Sequence, residues 1–223
     1  MALIEARNIH KTYTNGKNSL DVLKGIDISF EKGGFIVIVG PSGAGKSTLL
    51  HILGGLDAPT QGKVIFEQDD LYSLSDEKIA SIRNGRFGFV FQFYHLLPEF
   101  TVLENVLMPT WLAHKADGYT KDRAAELLIE IGLGERMRHF PNQLSGGERQ
   151  RAAIVRGLIN NPQVLFCDEP TGNLDSKTGE DVIEIIRRVS LENKMTVILV
   201  THNIELAETA DRVYHLKDGF LFN

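Results

Sequence analysis

An α/β fold on a parallel sheet is predicted by three features of the chain. First, short wholly apolar runs at residues 35–39, 164–167 and 197–200 each stop abruptly at polar residues, the pattern of strands covered on both faces. Second, helical faces lie between them: Ala124, Leu127, Leu128 and Ile131 fall at i, i+3, i+4 and i+7, and Val182, Ile185, Ile186 and Val189 form another such face. Third, strand, helix and strand follow one another in the order that right-handed crossovers require.

In chain order, residues 3–9 and 22–30 read as strands around the polar stretch Thr14-Asn15-Gly16-Lys17-Asn18, with Lys32-Gly33-Gly34 closing the pair. Tyr13, just before that turn, is the aromatic placed to offer an exposed ring. The run 35–39 enters Gly40-Pro41-Ser42-Gly43-Ala44-Gly45-Lys46-Ser47-Thr48, then a helical stretch to Leu53 stopped by Gly54-Gly55. Gly62-Lys63-Val64-Ile65-Phe66 is a short strand, a polar segment continues to Asn84, and Phe87-Gly88-Phe89-Val90-Phe91 is a buried strand ending at Gln92. The amino-terminal β part, read as a small antiparallel sheet, is therefore expected over about 1–34 plus 62–91, an inserted helical subdomain over about 93–160, and the nucleotide-binding core in the remainder. Residues 213–216 form a last strand before the turn residues Lys217-Asp218-Gly219.

Composition narrows the functional classes. Lys and Arg number 24 against 29 Asp and Glu, a net charge of −5, which argues against a dedicated nucleic-acid binder. The single cysteine, Cys167, rules out an internal disulfide and suits a reducing compartment. No apolar run approaches the roughly 18 residues of a membrane span, and the amino terminus lacks the basic-then-apolar layout of a signal peptide. A soluble chain is expected, brought to any membrane by a partner.

The stretch 40–48 fits G-x-x-x-x-G-K-[ST] in its required context, apolar strand before and helix after. Glycines let the backbone curl with its N–H groups inward, and the helix start adds unpaired N–H groups and a positive dipole end. Such a nest suits a nucleoside triphosphate: Lys46 reaches the terminal phosphates as a point charge and the Ser47 hydroxyl ligates Mg²⁺.

Ligands in parallel sheets bind beyond the carboxyl ends of strands. Residues 164–167 lead to Asp168 and Glu169, neighbours whose side chains would point to opposite sides of the strand end. Asp168 suits a Mg²⁺ carboxylate, and Glu169 can orient and deprotonate an attacking water before Pro170 stops the strand. Residues 197–200 lead to Thr201-His202, and His202 can hydrogen-bond a terminal phosphoryl group or the water, although a histidine there serves structure equally well. The other six, His10, His51, His95, His114, His139 and His215, show no metal-ligand spacing.

Leu144-Ser145-Gly146-Gly147-Glu148 opens a helical run to Leu158. Ser145 and Glu148 fit a capping box. The two glycines weaken a helix and bare its N–H groups, which also suits a second phosphate contact.

Taken in order, 40–48, Gln92, 144–148, 164–169, Asn173-Leu174-Asp175 and His202 resemble the ATP-binding cassette (ABC) ATPases over nearly the whole chain. The resemblance implies a P-loop NTPase (RecA-like) core and a head-to-tail homodimer with two ATP molecules, each held between the phosphate loop of one subunit and 144–148 of the other. It implies that Tyr13 stacks on adenine, that Gln92 couples the Mg²⁺ site to the helical part, that Asp175 lies at the dimer seam, and that His202 senses the γ-phosphate. The signature carries Glu148 where many members have Gln, a variant expected to keep the phosphate contacts. Glu169 is in place for hydrolysis. The segment Phe91-Gln92-Phe93-Tyr94-His95-Leu96-Leu97-Pro98-Glu99-Phe100-Thr101 with Glu104-Asn105-Val106-Leu107-Met108-Pro109 looks like that of cassettes that release lipoproteins from the bacterial inner membrane. Macrolide-export and cell-division cassettes of the same branch are the alternatives, and a soluble non-transport member is a more distant one. Two integral membrane subunits would dock near 93–109, where Phe93, Tyr94, Leu97, Phe100 and Met108 offer apolar surface to a short helix. The chain would then work peripherally on the cytoplasmic face of that membrane.

Overall fold

The computed structural model describes residues 2–16, 18–113 and 118–222. Lys17 of the expected polar turn and His114 lie outside them. In chain order the elements are β1 (Ile4–Asn15), β2 (Asn18–Phe30), β3 (Phe35–Val39), α1 (Lys46–Leu53), β4 (Gln61–Phe66), β5 (Asp69–Asp70), α2 (Asp76–Arg86), β6 (Phe87–Phe91), α3 (Val102–Leu112), α4 (Gly118–Glu130), α5 (Gly146–Leu158), β7 (Val164–Asp168), α6 (Ser176–Asn193), β8 (Thr196–Thr201), β9 (Arg212–Lys217) and β10 (Phe220–Phe222). They fall into two compact units, Met1–Arg83 with Thr196–Asn223, and Asn84–Met195.

The first unit holds two sheets. One is antiparallel in the order β2-β1-β4-β5, as the amino-terminal patterning predicts. In the other, β3 pairs parallel with β8 on one side and with β9 on the other, and β9 carries β10 antiparallel at its edge. All five residues of β3 and all six of β8 are buried, which is why neither shows polar alternation. On α1, Leu49, Leu50, Ile52 and Leu53 are fully buried.

The second unit pairs β6 parallel with β7, from Phe87 opposite Val164 to Phe91 opposite Asp168. This corrects the grouping of 62–91 with the amino-terminal strands: only β4 and β5 join that sheet. The ring of Phe89 stacks on Phe166 at 5.4 Å and that of Phe87 meets Phe166 edge-on at 5.2 Å, so aromatic packing ties β6 to β7. Helices α3, α4 and α5 share a core of Val102, Val106, Ala124, Leu128, Ile131, Leu133, Ala152 and Val155. α4 ends where Gly132 turns at φ +75 and Leu133 N–H reaches back to Leu128 O at 2.7 Å. Truncating Leu128 there would cost about 2–5 kcal/mol.

One helix was not legible. The polar segment before Asn84 contains α2, of which Ile79 alone is buried. With one apolar anchor there is no period to read.

Candidate functional site

The phosphate loop lies in the first unit, between β3 and α1. Gly43 and Gly45 turn at φ +79 and +102, a region closed to most side chains. Gly40 answers to a different constraint: a Cβ there would stand 2.1 Å from the Leu216 carbonyl oxygen on β9. Gly45 occupies the cap position of α1 and supplies no side-chain cap, so the helix start keeps the N–H donors and dipole that attract anions. Lys46 is only 6% exposed. Its ammonium donates to the carbonyls of Gly40 at 2.9 Å and Pro41 at 3.1 Å, which places the charge within the curl of the loop. A tight glycine curl, an uncapped helix start and a buried cation fit a polyphosphate.

His202 follows the strand neighbouring β3. Val39 is opposite Thr201, and Gly40 N–H donates to Thr201 O at 3.3 Å, so register alone sets His202 beside the start of the loop. Tyr13 lies in the same unit and is 44% exposed. Its hydroxyl donates to Asp57 Oδ2 at 2.8 Å, and the Lys11 ammonium stands 4.8 Å from the ring centroid.

The remaining predicted residues belong to the second unit. Asp168 ends β7, and Glu169 leaves the strand at φ +45. The strand thus stops at this left-handed residue, one position before Pro170, and Glu169 does not continue the alternation assumed from the sequence. A glutamate held there stores roughly 1–2 kcal/mol of backbone strain. Gln92 directly follows Phe91, the partner of Asp168 in the ladder. Its amide donates to Asn173 Oδ1 at 3.3 Å while Asn173 Nδ2 donates to Gln92 O at 3.0 Å. Gly172 leaves room for this, since a Cβ there would fall 2.8 Å from Gln92 Nε2. Cys167 is wholly buried, and burial first, then the Asp168 charge, raise its thiol above the ordinary range, which makes it a poor nucleophile.

The turn 145–148 forms a complete capping box: Glu148 N–H donates to Ser145 Oγ at 3.2 Å and Ser145 N–H to Glu148 Oε2 at 2.8 Å. The glycines between them have packing reasons as well. A Cβ on Gly147 would lie 2.5 Å from Thr178 Cγ2, and one on Gly146 would lie 3.2 Å from the Tyr94 hydroxyl. Asp175, whose carboxylate caps α6 through Thr178, sits one turn from that contact.

The segment after Gln92 is fixed by two residues that the sequence did not single out for the task. Arg156 on α5 donates to the carbonyls of Tyr94 and His95. Asn105, fully buried, accepts from Leu97 N–H and donates toward the carbonyls of Leu97, Phe100 and Thr101. Of the five apolar side chains expected to form a docking surface, Phe93 and Leu97 are exposed, whereas Tyr94, Phe100 and Met108 are half-buried. A buried asparagine inside an apolar helix face is the one signal that could have flagged this staple.

Residues 23–172 match the ABC transporter family. The chain is 47% identical to the lipoprotein-releasing system ATP-binding protein LolD of Syntrophotalea carbinolica, with 98% of this chain and 96% of that protein aligned. It is 50% identical to the LolD protein of Geobacter metallireducens, covering 98% and 97%. Among solved structures, the dimeric bacterial ABC transporter cassette MJ0796 superposes with a TM-score of 0.88 at 40% identity, over 97% of this chain and 95% of that one. The same cassette in a post-hydrolysis state bound to ADP and Pi gives a TM-score of 0.89 at 41% identity. A P-loop α/β cassette with its ordered motifs intact, the chain belongs to the ABC transporter family of ATPases.

Proposed function

We propose that this chain is the ATP-hydrolysing subunit of a bacterial ABC transporter that releases lipoproteins from the inner membrane. The observation that carries the reading is near-full-length identity of 47–50% to proteins named for that system, in a chain whose phosphate loop keeps a buried Lys46 inside a glycine curl. Residues 40–48 hold the triphosphate, with Tyr13 against adenine. Mg²⁺ bound with the nucleotide would supply positive charge against the phosphoryl oxygens. Its protein ligands are assigned to Ser47, Gln92 and Asp168, oxygen donors of the type this hard cation takes. Glu169 accepts the proton of the attacking water, His202 donates to the terminal phosphoryl group, and Lys46 offsets its charge.

Ser145, Gly146, Gly147 and Glu148 serve the nucleotide of a second copy, a reading supported by the dimeric form of the similar cassette MJ0796. Two membrane subunits seat near 93–109, with Phe93 and Leu97 as exposed anchors, and the chain works peripherally at the cytoplasmic face of the membrane. No helix among the described residues is long and apolar enough to cross it. The test is reconstitution of the chain with its membrane subunits in vesicles carrying a lipid-modified protein. ATP is expected to release that protein, and Lys46→Ala to abolish both release and nucleotide binding by calorimetry. Hydrolysis at full rate with the lipid-modified protein retained, under conditions that move another substrate, would sink the lipoprotein assignment.

A further inference from the structure

We infer that Lys11 and Asp57 are positioning residues for Tyr13, fixing its ring against the first turn of α1 with one face closed and the other open to a nucleotide base. The inference rests on the reading of Tyr13 as the base-stacking residue. Alternate residues of a strand share a face, so Lys11 and Tyr13 are neighbours on β1. The Lys11 side chain is 11% exposed, unusual for a lysine. Its ammonium donates to Asp57 Oδ1 at 2.6 Å and to Ala58 O at 2.7 Å, and it stands 4.8 Å from the Tyr13 centroid. Two of its three donors are thus committed to oxygens, and the charge covers one face of the ring.

The hydroxyl end is held as firmly. Tyr13 donates to Asp57 Oδ2 at 2.8 Å and meets the Thr48 hydroxyl in the first turn of α1. Burial first, and then the Asp57 carboxylate, raise the phenol above its ordinary range, which keeps it a donor. Asp57 is itself anchored to α1: its N–H donates to His51 O at 3.3 Å, and its carbonyl accepts from the Tyr72 hydroxyl at 2.5 Å. Thr60 sews the same turn to β1, its N–H donating to His10 O at 2.8 Å and its Oγ1 accepting from Thr12 N–H at 3.0 Å. A chain of contacts therefore runs from the helix that follows the phosphate loop to the ring that takes the base. The spacing between base and phosphates is set before the nucleotide arrives, and an ordered platform forfeits less entropy on binding.

The test is calorimetry on the purified full-length chain with MgATP and, separately, with magnesium and inorganic triphosphate, which has no base to stack. Tyr13→Ala is expected to weaken ATP binding by roughly tenfold or more, and Tyr13→Phe and Lys11→Ala each by about 3- to 10-fold, with less than the product of the two in the double variant. Triphosphate affinity should be unchanged throughout. If Tyr13→Ala weakens ATP while Tyr13→Phe and Lys11→Ala match the parent chain, the positioning role is wrong and the stacking reading stands. If Tyr13→Ala itself has no effect, the stacking reading falls and takes the inference with it. Equal losses for ATP and triphosphate would assign the cluster to the fold and overturn the inference.

Discussion

Arg156, on the helix that begins with the Ser-Gly-Gly turn, donates a 2.6 Å hydrogen bond to the carbonyl of Tyr94, two residues past Gln92. Tyr94 and His95 both have left-handed backbone, at φ +60 and +49, and Arg156 takes both carbonyls. Two consecutive non-glycine residues in this region are strained, so the guanidinium holds a conformation that the segment would not keep alone. Its burial lowers its pKa from the ordinary arginine value, yet it stays charged, because that value is so high.

Arg156→Ala should therefore unfold the turn after Gln92 as well as remove two bonds. The expected cost is about 2–4 kcal/mol in urea denaturation, with new protease cleavage confined to residues 92–97. Arg156→Lys, with charge but no fork, should recover only part. A stability loss without local cleavage would place the defect in α5 instead.

The contact between Gly147 and Thr178 invites a compensation experiment. Gly147→Ala sets a methyl 2.5 Å from Thr178 Cγ2 and should cost roughly 1–3 kcal/mol by overpacking. Thr178→Ser removes the clashing methyl and keeps the hydroxyl that donates to Asp175 Oδ2 at 2.6 Å. The double variant should recover most of the loss, and additive penalties in thermal melts would contradict the packing account.

On its proposed role as the base, Glu169 would trade backbone stability for chemistry. Replacing it by glycine relieves about 1–2 kcal/mol of left-handed strain against about 0.4–1 kcal/mol lost to greater unfolded-state entropy, a net gain of roughly 0–1.6 kcal/mol. Glu169→Gly is expected to melt higher than the parent while hydrolysing no ATP. Glu169→Gln should bind ATP and accumulate as a dimer on gel filtration with ATP and Mg²⁺. A monomer under those conditions would speak against the dimeric mechanism.

Glu148 carries a pH signature. Hydrogen bonding from Ser145 N–H, then the side-chain bonds from Arg136 and Ser145, outweigh burial and hold its carboxyl below the ordinary value. A carboxyl depressed in the folded state stabilises above its unfolded pKa, and the benefit is lost as pH falls through the folded value. Glu148→Gln keeps the capping hydrogen bond but not the charge near the helix start and Arg136. It should melt lower than the parent at pH 7 by the equivalent of about 0.5 kcal/mol, with the gap closing as pH drops below the glutamate range. A gap constant with pH would exclude an ionic contribution.

The residues that announce themselves in the chain are those whose task is local. A glycine-lysine loop between an apolar strand and a helix, a capping box, and polar residues after apolar runs follow from backbone sterics and periodicity, so 40–48, 145–148 and Asp168 could be proposed without coordinates, whereas the role of His202 came only from the family resemblance. What only the folded chain decided depends on neighbours remote in sequence. That Gly40 must be glycine because of Leu216, Gly147 because of Thr178, and Gly172 because of Gln92 is a matter of contact distances, to which no periodicity corresponds. Arg156 and Asn105 look like ordinary helix residues until the carbonyls they satisfy are seen, because a buried polar group is explained by its partner. The left-handed backbone of Glu169 was equally hidden, since its torsion is imposed by the turn to Gly172 and not by any preference of glutamate.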